Sequence, residues 1–138
     1  MPMNRALYPK NWEAIAREIK EAANWTCQQC DRPCRRPGET LFDFETRIAE
    51  HHADTWAADL YEEIDDDEFG SVVVTRDRRF VLTVAHLNHR PEDCRPENLK
   101  ALCTVCHCRM DIAPNALATK RAIALERQGQ LNLLDLLK

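Results

Sequence analysis

Two pairs of cysteines with the spacing of a metal site stand far apart in the sequence. One pair lies in CQQC and the other in CTVC, giving Cys27, Cys30, Cys103 and Cys106. A C-x-x-C pair can wrap two thiolates around one ion, and two such pairs complete a closed tetrahedral zinc site. The long insert between the pairs changes only the loop that the metal closes. We therefore predict that these four cysteines bind one structural Zn²⁺ ion.

Other interpretations of the cysteines remain open. Each C-x-x-C could be an independent redox motif, or its thiols could be buried without a metal. A redox motif is expected beside a βαβ pattern, and the sequence shows none. Three cysteines lie outside the two pairs: Cys34, Cys94 and Cys108. Cys34 could compete as a ligand, whereas Cys94 and Cys108 are interpreted as ordinary thiols.

A second set of residues with catalytic chemistry lies in the segment FVLTVAHLNHRPEDCRPENLKALCTVCHCRMD. His86 ends an apolar, β-branched run, Asn98 follows in a polar segment, and His107 comes next to the second cysteine pair. Cleavage of a phosphodiester needs a nucleophile made from water and a cation that neutralises the developing charge. A neutral imidazole can accept the proton. Asp111, four residues after His107, would share its helix face and could hold the same ion.

This segment resembles the HNH endonuclease family, in particular the small HNH proteins of phages and bacteria that carry AHLxH followed by NLxALCxxCH. In that family a strand ends in a histidine, a loop carries an asparagine, and a helix supplies a second histidine beside a cysteine pair. The resemblance covers residues 25–30 and 80–111 closely, and residues 8–24 and the C-terminal helix more loosely. It implies a metal-dependent DNA endonuclease or nickase with a zinc-stabilised ββα-metal core.

The resemblance also implies a role for each matching residue. His86 matches the general base, and Asn98 matches the residue that pins the loop and orients that base. His107 matches a ligand of the catalytic ion, which would be Mg²⁺ or another divalent cation, with Asp111 as a second ligand.

The chain departs from the family at Ala85, where an acidic or histidine metal ligand usually stands. The ion could then be held by His107 and Asp111 with water and substrate phosphate, because Mg²⁺ commonly keeps waters. Alternatively, His89 could supply the missing ligand. The departure also leaves a second function open: a non-catalytic zinc module that binds nucleic acid or a protein partner.

The distribution of charge favours a polyanionic partner more than the net charge of -4 suggests. Residues 39–70 contain 12 of the 23 acidic residues and one basic residue, Arg47. The rest of the chain has 18 Lys and Arg against 11 Asp and Glu, a net charge of +7. A basic body with an acidic insert is compatible with DNA as the partner. Six arginines are candidate phosphate contacts or, equally, parts of solvated turns: Arg32, Arg35, Arg36, Arg76, Arg78 and Arg79.

The elements that must position these residues make one α+β domain over residues 1–138. Apolar residues at helical spacing predict an N-terminal helix over 9–24, and the acidic insert 39–70 is expected to be helical with a solvated turn at 65–68. Two β-branched runs predict a β-hairpin with strands near 71–75 and 79–85. With a cysteine-rich turn and a short helix over 99–113, this hairpin would form the core at 71–113.

A final helix is predicted from about residue 115 to 128, within a C-terminal region 115–138 whose apolar tail would pack on the body or on a partner protein. The acidic insert is the other candidate surface for a protein partner. No apolar run is long enough to cross a bilayer. The first twelve residues lack the apolar core of a secretory signal, so we expect a cytoplasmic protein with no membrane partner.

Overall fold

The structure, a computed structural model, describes residues 5–136, with side chains as far as residue 129. Its α-helices are α1 (Trp12–Ala22), α2 (Leu41–His51), α3 (Ala57–Leu60), α4 (Thr104–Ile112) and α5 (Pro114–Leu136). Its strands are β1 (Tyr61–Asp66), β2 (Gly70–Thr75), β3 (Leu82–His86) and β4 (Leu99–Cys103). The protein is therefore mixed α+β, and the strands form two small antiparallel sheets, β1–β2 and β3–β4.

The β3–β4 sheet is covered by helices on both faces. Its register runs from Leu82 opposite Cys103 to His86 opposite Leu99. Successive residues of a strand point to opposite faces. Val84 accordingly packs with Ala16 of α1, whereas Ala85 packs in the cluster that contains the metal-site cysteines. The sheet thus presents consecutive residues of β3 to two different layers of the molecule.

The acidic insert has an apolar cluster of its own. Phe44 and Ile48 of α2 pack with Leu60 and with Phe80, and all four side chains are fully buried. The helix α2 begins at a capping residue, because the Thr40 hydroxyl accepts a hydrogen bond of 3.1 Å from the Asp43 backbone N–H. Together these contacts give the insert a small core separate from the β3–β4 sheet.

The predicted hairpin between residues 71–75 and 79–85 is wrong. Strand β2 instead pairs with β1 inside the acidic insert, and β3 pairs with β4. The acidic run closes the β1–β2 hairpin because Asp66 Oδ1 accepts from the N–H groups of Glu68 and Phe69. Gly70 then adopts a φ of 72°, which glycine tolerates. Residues 76–79, between the two predicted strands, instead contribute to a 3₁₀ helix (Asp77–Phe80) that buries Phe80.

Two more elements differ from the sequence prediction. Residues 99–103 form strand β4 rather than a turn, and α4 begins only at Thr104. The last helix runs without a break through Gly129 to Leu136. The packing of the apolar tail falls on side chains outside the described residues. Within the part of the chain that the structure describes, no helix is long and apolar enough to span a membrane.

Candidate metal centres

The four predicted zinc ligands come together at one point in the core. Within the described residues, the ligand sulfurs of Cys27, Cys30, Cys103 and Cys106 all lie within 4.8 Å of one another. The Sγ atoms of Cys30 and Cys103 are 3.7 Å apart. A tetrahedral site with Zn–S bonds of about 2.3 Å has edges of about 3.8 Å. The cluster could therefore hold a metal ion such as zinc, and this convergence argues against two independent redox motifs.

Backbone hydrogen bonds hold the two cysteine pairs against each other. In the first pair, Cys27 N–H donates to the Arg32 carbonyl at 2.9 Å, which closes the knuckle. The knuckle then attaches to β4, because Gln28 N–H donates to the Ala101 carbonyl and Ala101 N–H donates to Gln28 Oε1. In the second pair, Cys103 caps α4 by accepting from Cys106 N–H at 3.5 Å. Two segments that are distant in the sequence thus become one site.

The electrostatics differ among the clustered cysteines, because burial raises the pKa of Cys30 and Cys106 whereas the pKa of Cys27 is lowered. Burial opposes ionisation of Cys27, but hydrogen bonds from the backbone of Cys103, Cys30 and Gln29 outweigh it and lower its pKa to about 7. Cys34 is also fully buried. Burial and the neighbouring thiolates raise the pKa of Cys34 to about 12. Cys34 thus remains a neutral thiol, close to the Arg32 carbonyl, and does not belong to the four-sulfur group.

His86 lies at the end of β3 in an aromatic environment. Its ring centroid is 4.9 Å from that of Trp12 and 5.7 Å from that of Tyr8. Its Nε2 atom lies 3.6 Å from Cys94 Sγ, and the residue is 7% exposed. Burial lowers the pKa of His86 below its usual value, against the opposing charges of Asp93 and Glu92. The imidazole is therefore neutral near pH 7, as a general base must be.

Asn98 holds the loop between β3 and β4 in place. Its Oδ1 accepts from Asn88 N–H at 3.1 Å, and its Nδ2 donates to Asn88 Oδ1 and to the Asp93 carbonyl. Its own carbonyl accepts from Leu87 N–H at 2.9 Å. These bonds pin the residues that follow His86, so Asn98 acts through the loop. It does not cap a helix, because a strand begins at Leu99.

His107 is oriented by Thr83, a residue that belongs to no recognised sequence motif. Thr83 Oγ1 donates to the Leu102 carbonyl at 2.8 Å and lies 2.7 Å from His107 Nδ1. Since the hydroxyl proton goes to the carbonyl, Nδ1 must carry the ring proton and donate to Thr83. This leaves the lone pair of Nε2 free for a metal.

Asp111 is the point at which a second set of groups converges. His107 Nε2 lies 3.7 Å from its Oδ2, and His89 Nδ1 lies 3.9 Å from its Oδ1. Lys120 Nζ, from α5, lies 3.4 Å from Oδ1. Burial lowers the pKa of both histidines, an effect that Asp111 opposes and Lys120 reinforces. The structure thus brings His89, the alternative ligand, to the same carboxylate as His107.

This second group is more open than the cysteine cluster. Neighbouring ligands around Mg²⁺, with bonds of about 2.1 Å, lie about 3.0 Å apart. The observed separations of 3.7 and 3.9 Å are wider and involve different oxygens of Asp111. Within the described residues, the cysteine group has its ligand atoms all within 4.8 Å of one another and this group does not, so its side chains must rearrange to share an ion. Two imidazoles and one carboxylate suit a borderline divalent cation such as Mn²⁺ as well as Mg²⁺.

The side chains of His86 and His107 lie near the end of β3 but on the sides of different helices. His86 packs toward α1, whereas His107 contacts Thr83 on the side of α4. They are close enough that a charge on His107 lowers the pKa of His86. Ala85 is fully buried among the cysteines, so no ligand enters from its position.

Several of the arginines selected from the sequence are not free to contact phosphate. Arg32 is 6% exposed and pairs with Asp59, so its assignment to a phosphate contact or a solvated turn is wrong. Arg76 pairs with Glu62, and Arg79 pairs with Asp59. A different cationic surface lies beside α4. A cavity of about 390 Å³ there is lined by Gln29, Leu87, Lys100, Leu102, Cys106, Arg109 and Met110.

Comparisons of the chain with known protein-family models, with curated proteins and with solved structures gave no match.

Proposed function

We propose that this protein is a metal-dependent DNA endonuclease or nickase of the HNH type. The observation that carries the proposal is the convergence of His89 and His107 on the Asp111 carboxylate, at the end of a two-stranded sheet that the cysteine cluster joins to α4. Strands β3 and β4 followed by α4 match the order of a ββα-metal core. In this arrangement the cysteine cluster holds Zn²⁺ for structure, and the Asp111 group holds a catalytic divalent cation.

The hydrolysis needs one water molecule and no other reactant. The water oxygen forms a bond to phosphorus while its proton passes to the imidazole of His86. The bond from phosphorus to the leaving deoxyribose oxygen breaks, and that oxygen takes a proton from solvent. A divalent cation, when bound, neutralises the charge that develops on the phosphate. Asn98 fixes the loop after His86, and Thr83 fixes the tautomer of His107.

The surface beside α4 supports a nucleic-acid partner. Lys100 and Arg109 line the cavity there, and none of its lining residues is acidic. The apolar lining residues include Leu87, next to His86, and Met110, next to Asp111. Cationic side chains can bind a phosphate group, and apolar side chains beside them can pack against the nucleoside attached to it. The acidic residues of the insert are concentrated elsewhere, on α2 and the β1–β2 hairpin.

A plasmid nicking assay tests the proposal. The zinc-loaded protein is incubated with supercoiled DNA and Mg²⁺, Mn²⁺ or Ni²⁺, and again with a chelator that leaves the zinc in place. We expect metal-dependent conversion to nicked or linear DNA. His107→Ala and His86→Gln should lower the rate by about 100-fold or more. His51→Ala, which changes an exposed histidine of α2, is the matched control and should cleave normally.

The melting temperature of each variant must be measured beside its rate, because His86 packs against two aromatic rings. If folded His86→Gln protein cleaves as fast as the wild type, His86 is not the base.

The burial of the His86 side chain favours a second candidate function. At 7% exposure, and with Ala85 in place of a ligand, the chain could be a zinc module that binds nucleic acid or protein without cutting. Absence of nicking with every cation, combined with salt-dependent DNA binding, would support this alternative. Loss of that binding in an Arg109→Ala variant would locate it at the α4 surface.

A further inference from the structure

Lys120 belongs to α5, a helix outside the ββα core. Its ammonium group lies beside the proposed catalytic metal group. Its Nζ lies 3.4 Å from Asp111 Oδ1 and 3.3 Å from the Asp111 carbonyl oxygen. Both side chains are only about one quarter exposed. The helix α5 that carries Lys120 packs against α4. The ammonium is therefore held at one residue by two acceptors, which differs from the loose pairing of surface charges.

Part of this arrangement is structural. Asp111 lies in the last turn of α4, where backbone carbonyls lack a partner within the helix. A lysine that donates to such a carbonyl stabilises the end of the helix. This role explains the contact with the carbonyl oxygen, but it does not require the contact with Oδ1.

The contact with Oδ1 places the ammonium where it competes with a metal ion. Oδ1 also faces His89 at 3.9 Å, and Oδ2 faces His107 at 3.7 Å. A divalent cation that binds this carboxylate would lie near the ammonium, and the two positive charges repel each other. Lys120 has a flexible four-carbon stem, so it can release Oδ1 and turn away while α5 stays in place.

Once released, the ammonium group is close enough to the site to interact with the phosphate of a substrate. A divalent ion and one carboxylate leave a single net positive charge, and a phosphodiester gains negative charge as its phosphorus is attacked. A second cation next to the ion would stabilise that charge.

We propose that Lys120 holds Asp111 in the metal-free protein and, once the divalent ion binds, transfers to a non-bridging oxygen of the scissile phosphodiester. This inference rests on the proposed nuclease function and adds to it a phosphate-binding group from α5. Lys120 then opposes binding of the metal but promotes the cleavage step, so its removal should change the two properties in opposite directions.

The test compares Lys120→Met, Lys120→Arg and the wild type, all zinc-loaded. Lys10→Met, the same substitution at an exposed position before α1, is the matched control. Binding of Mn²⁺ is measured by electron paramagnetic resonance, and cleavage is measured under single-turnover conditions at saturating Mn²⁺. We expect Lys120→Met to bind Mn²⁺ about threefold to tenfold more tightly, because a competing charge is gone. We expect it to cleave about 100-fold more slowly.

Lys120→Arg should keep most of the rate, because it keeps the charge, and Lys10→Met should match the wild type in both measurements. Unchanged cleavage by Lys120→Met, with an active wild type, would overturn the inference and leave the nuclease function standing. Weaker Mn²⁺ binding together with a lower melting temperature would show that Lys120 only caps α4, which also overturns it. No cleavage by the wild type with any cation would overturn the proposed function, and the phosphate contact with it.

Discussion

The β3–β4 core and the acidic insert are stabilised in different ways. The core sheet has strands of only five residues, and its largest buried cluster contains Cys34 and three of the proposed zinc ligands, with the fourth, Cys30, packed against it. The insert instead buries large apolar side chains, Phe44, Ile48 and Leu60, against Phe80. The proposed zinc ion would join distant segments of the core, whereas the insert depends on apolar contacts. The proposed catalytic residues lie in the core.

Arg32 is one of the side chains that connect the two regions. Arg32 belongs to the first cysteine knuckle, but its guanidinium lies 4.6 Å from the ring of Trp56 and 4.8 Å from that of Phe80. It also pairs with Asp59 of α3. Within the described residues, the Nε of Arg32 is a buried polar atom without a hydrogen-bond partner. The insert is thus attached to the metal knuckle through a buried cation.

Removal of zinc should have the largest effect and should separate the two regions. Structural zinc contributes about 10 kcal/mol or more to folding in small domains. We expect that a strong chelator abolishes hydrogen-exchange protection of β3 and β4 while amides of α2 keep part of theirs. Simultaneous loss in both regions would show that the insert has no stability of its own.

Arg32→Met should have the next largest effect, because it leaves Asp59 without its most buried partner. Breaking a buried ion pair costs about 3 kcal/mol. Denaturant unfolding should show this loss, whereas Arg36→Met, at an exposed position on the same knuckle, should change little. If both variants are equally stable, Arg32 does not connect the insert to the core.

Thr83→Val should weaken the second metal group without unfolding the core. The substitution removes the acceptor that fixes His107 Nδ1, and loss of such a partner typically lowers metal affinity by about 10-fold to 100-fold. Mn²⁺ titration measures the change. Thr119→Val, which removes an exposed hydroxyl from α5, is the control, and equal affinities in the two variants would argue against the assigned tautomer.

A pH dependence of stability should be the smallest effect. Burial lowers the pKa of His86 in the folded state. As the pH falls through about 6.5, the unfolded chain gains a proton that the folded chain does not, so the free energy of unfolding decreases. Above that pH neither state is protonated, and the dependence ends. Melting temperatures between pH 7.5 and 5.5 should fall less steeply in His86→Gln than in His51→Gln, and equal slopes would contradict the assignment.

The sequence predicted the four-cysteine cluster better than it predicted the pairing of strands. The C-x-x-C spacing depends on local geometry around an ion, and the four-cysteine group is confirmed as a cluster that could hold a metal. Strand pairing depends on partners distant in the sequence. The β-branched run 71–75 pairs with the charged strand Tyr61–Asp66, whose acidic composition favours a solvated turn.

The residues missed at the second centre share a physical reason. Thr83 and Lys120 carry no motif, and each contacts His107 or Asp111 only because the fold brings them together. His89 was an alternative ligand in the sequence, and its contact with Asp111 depends on a backbone φ of 60° that the sequence does not reveal. Such contacts can be found only once α4, α5 and the loop are in place.

Anomalous diffraction from zinc-containing crystals soaked in Mn²⁺ would locate both proposed ions. We expect a zinc peak at bonding distance from the sulfurs of all four cysteines and a manganese peak bound to Asp111, with His89 and His107 drawn toward it. A cysteine cluster without zinc, or manganese bound only elsewhere, would contradict this expectation.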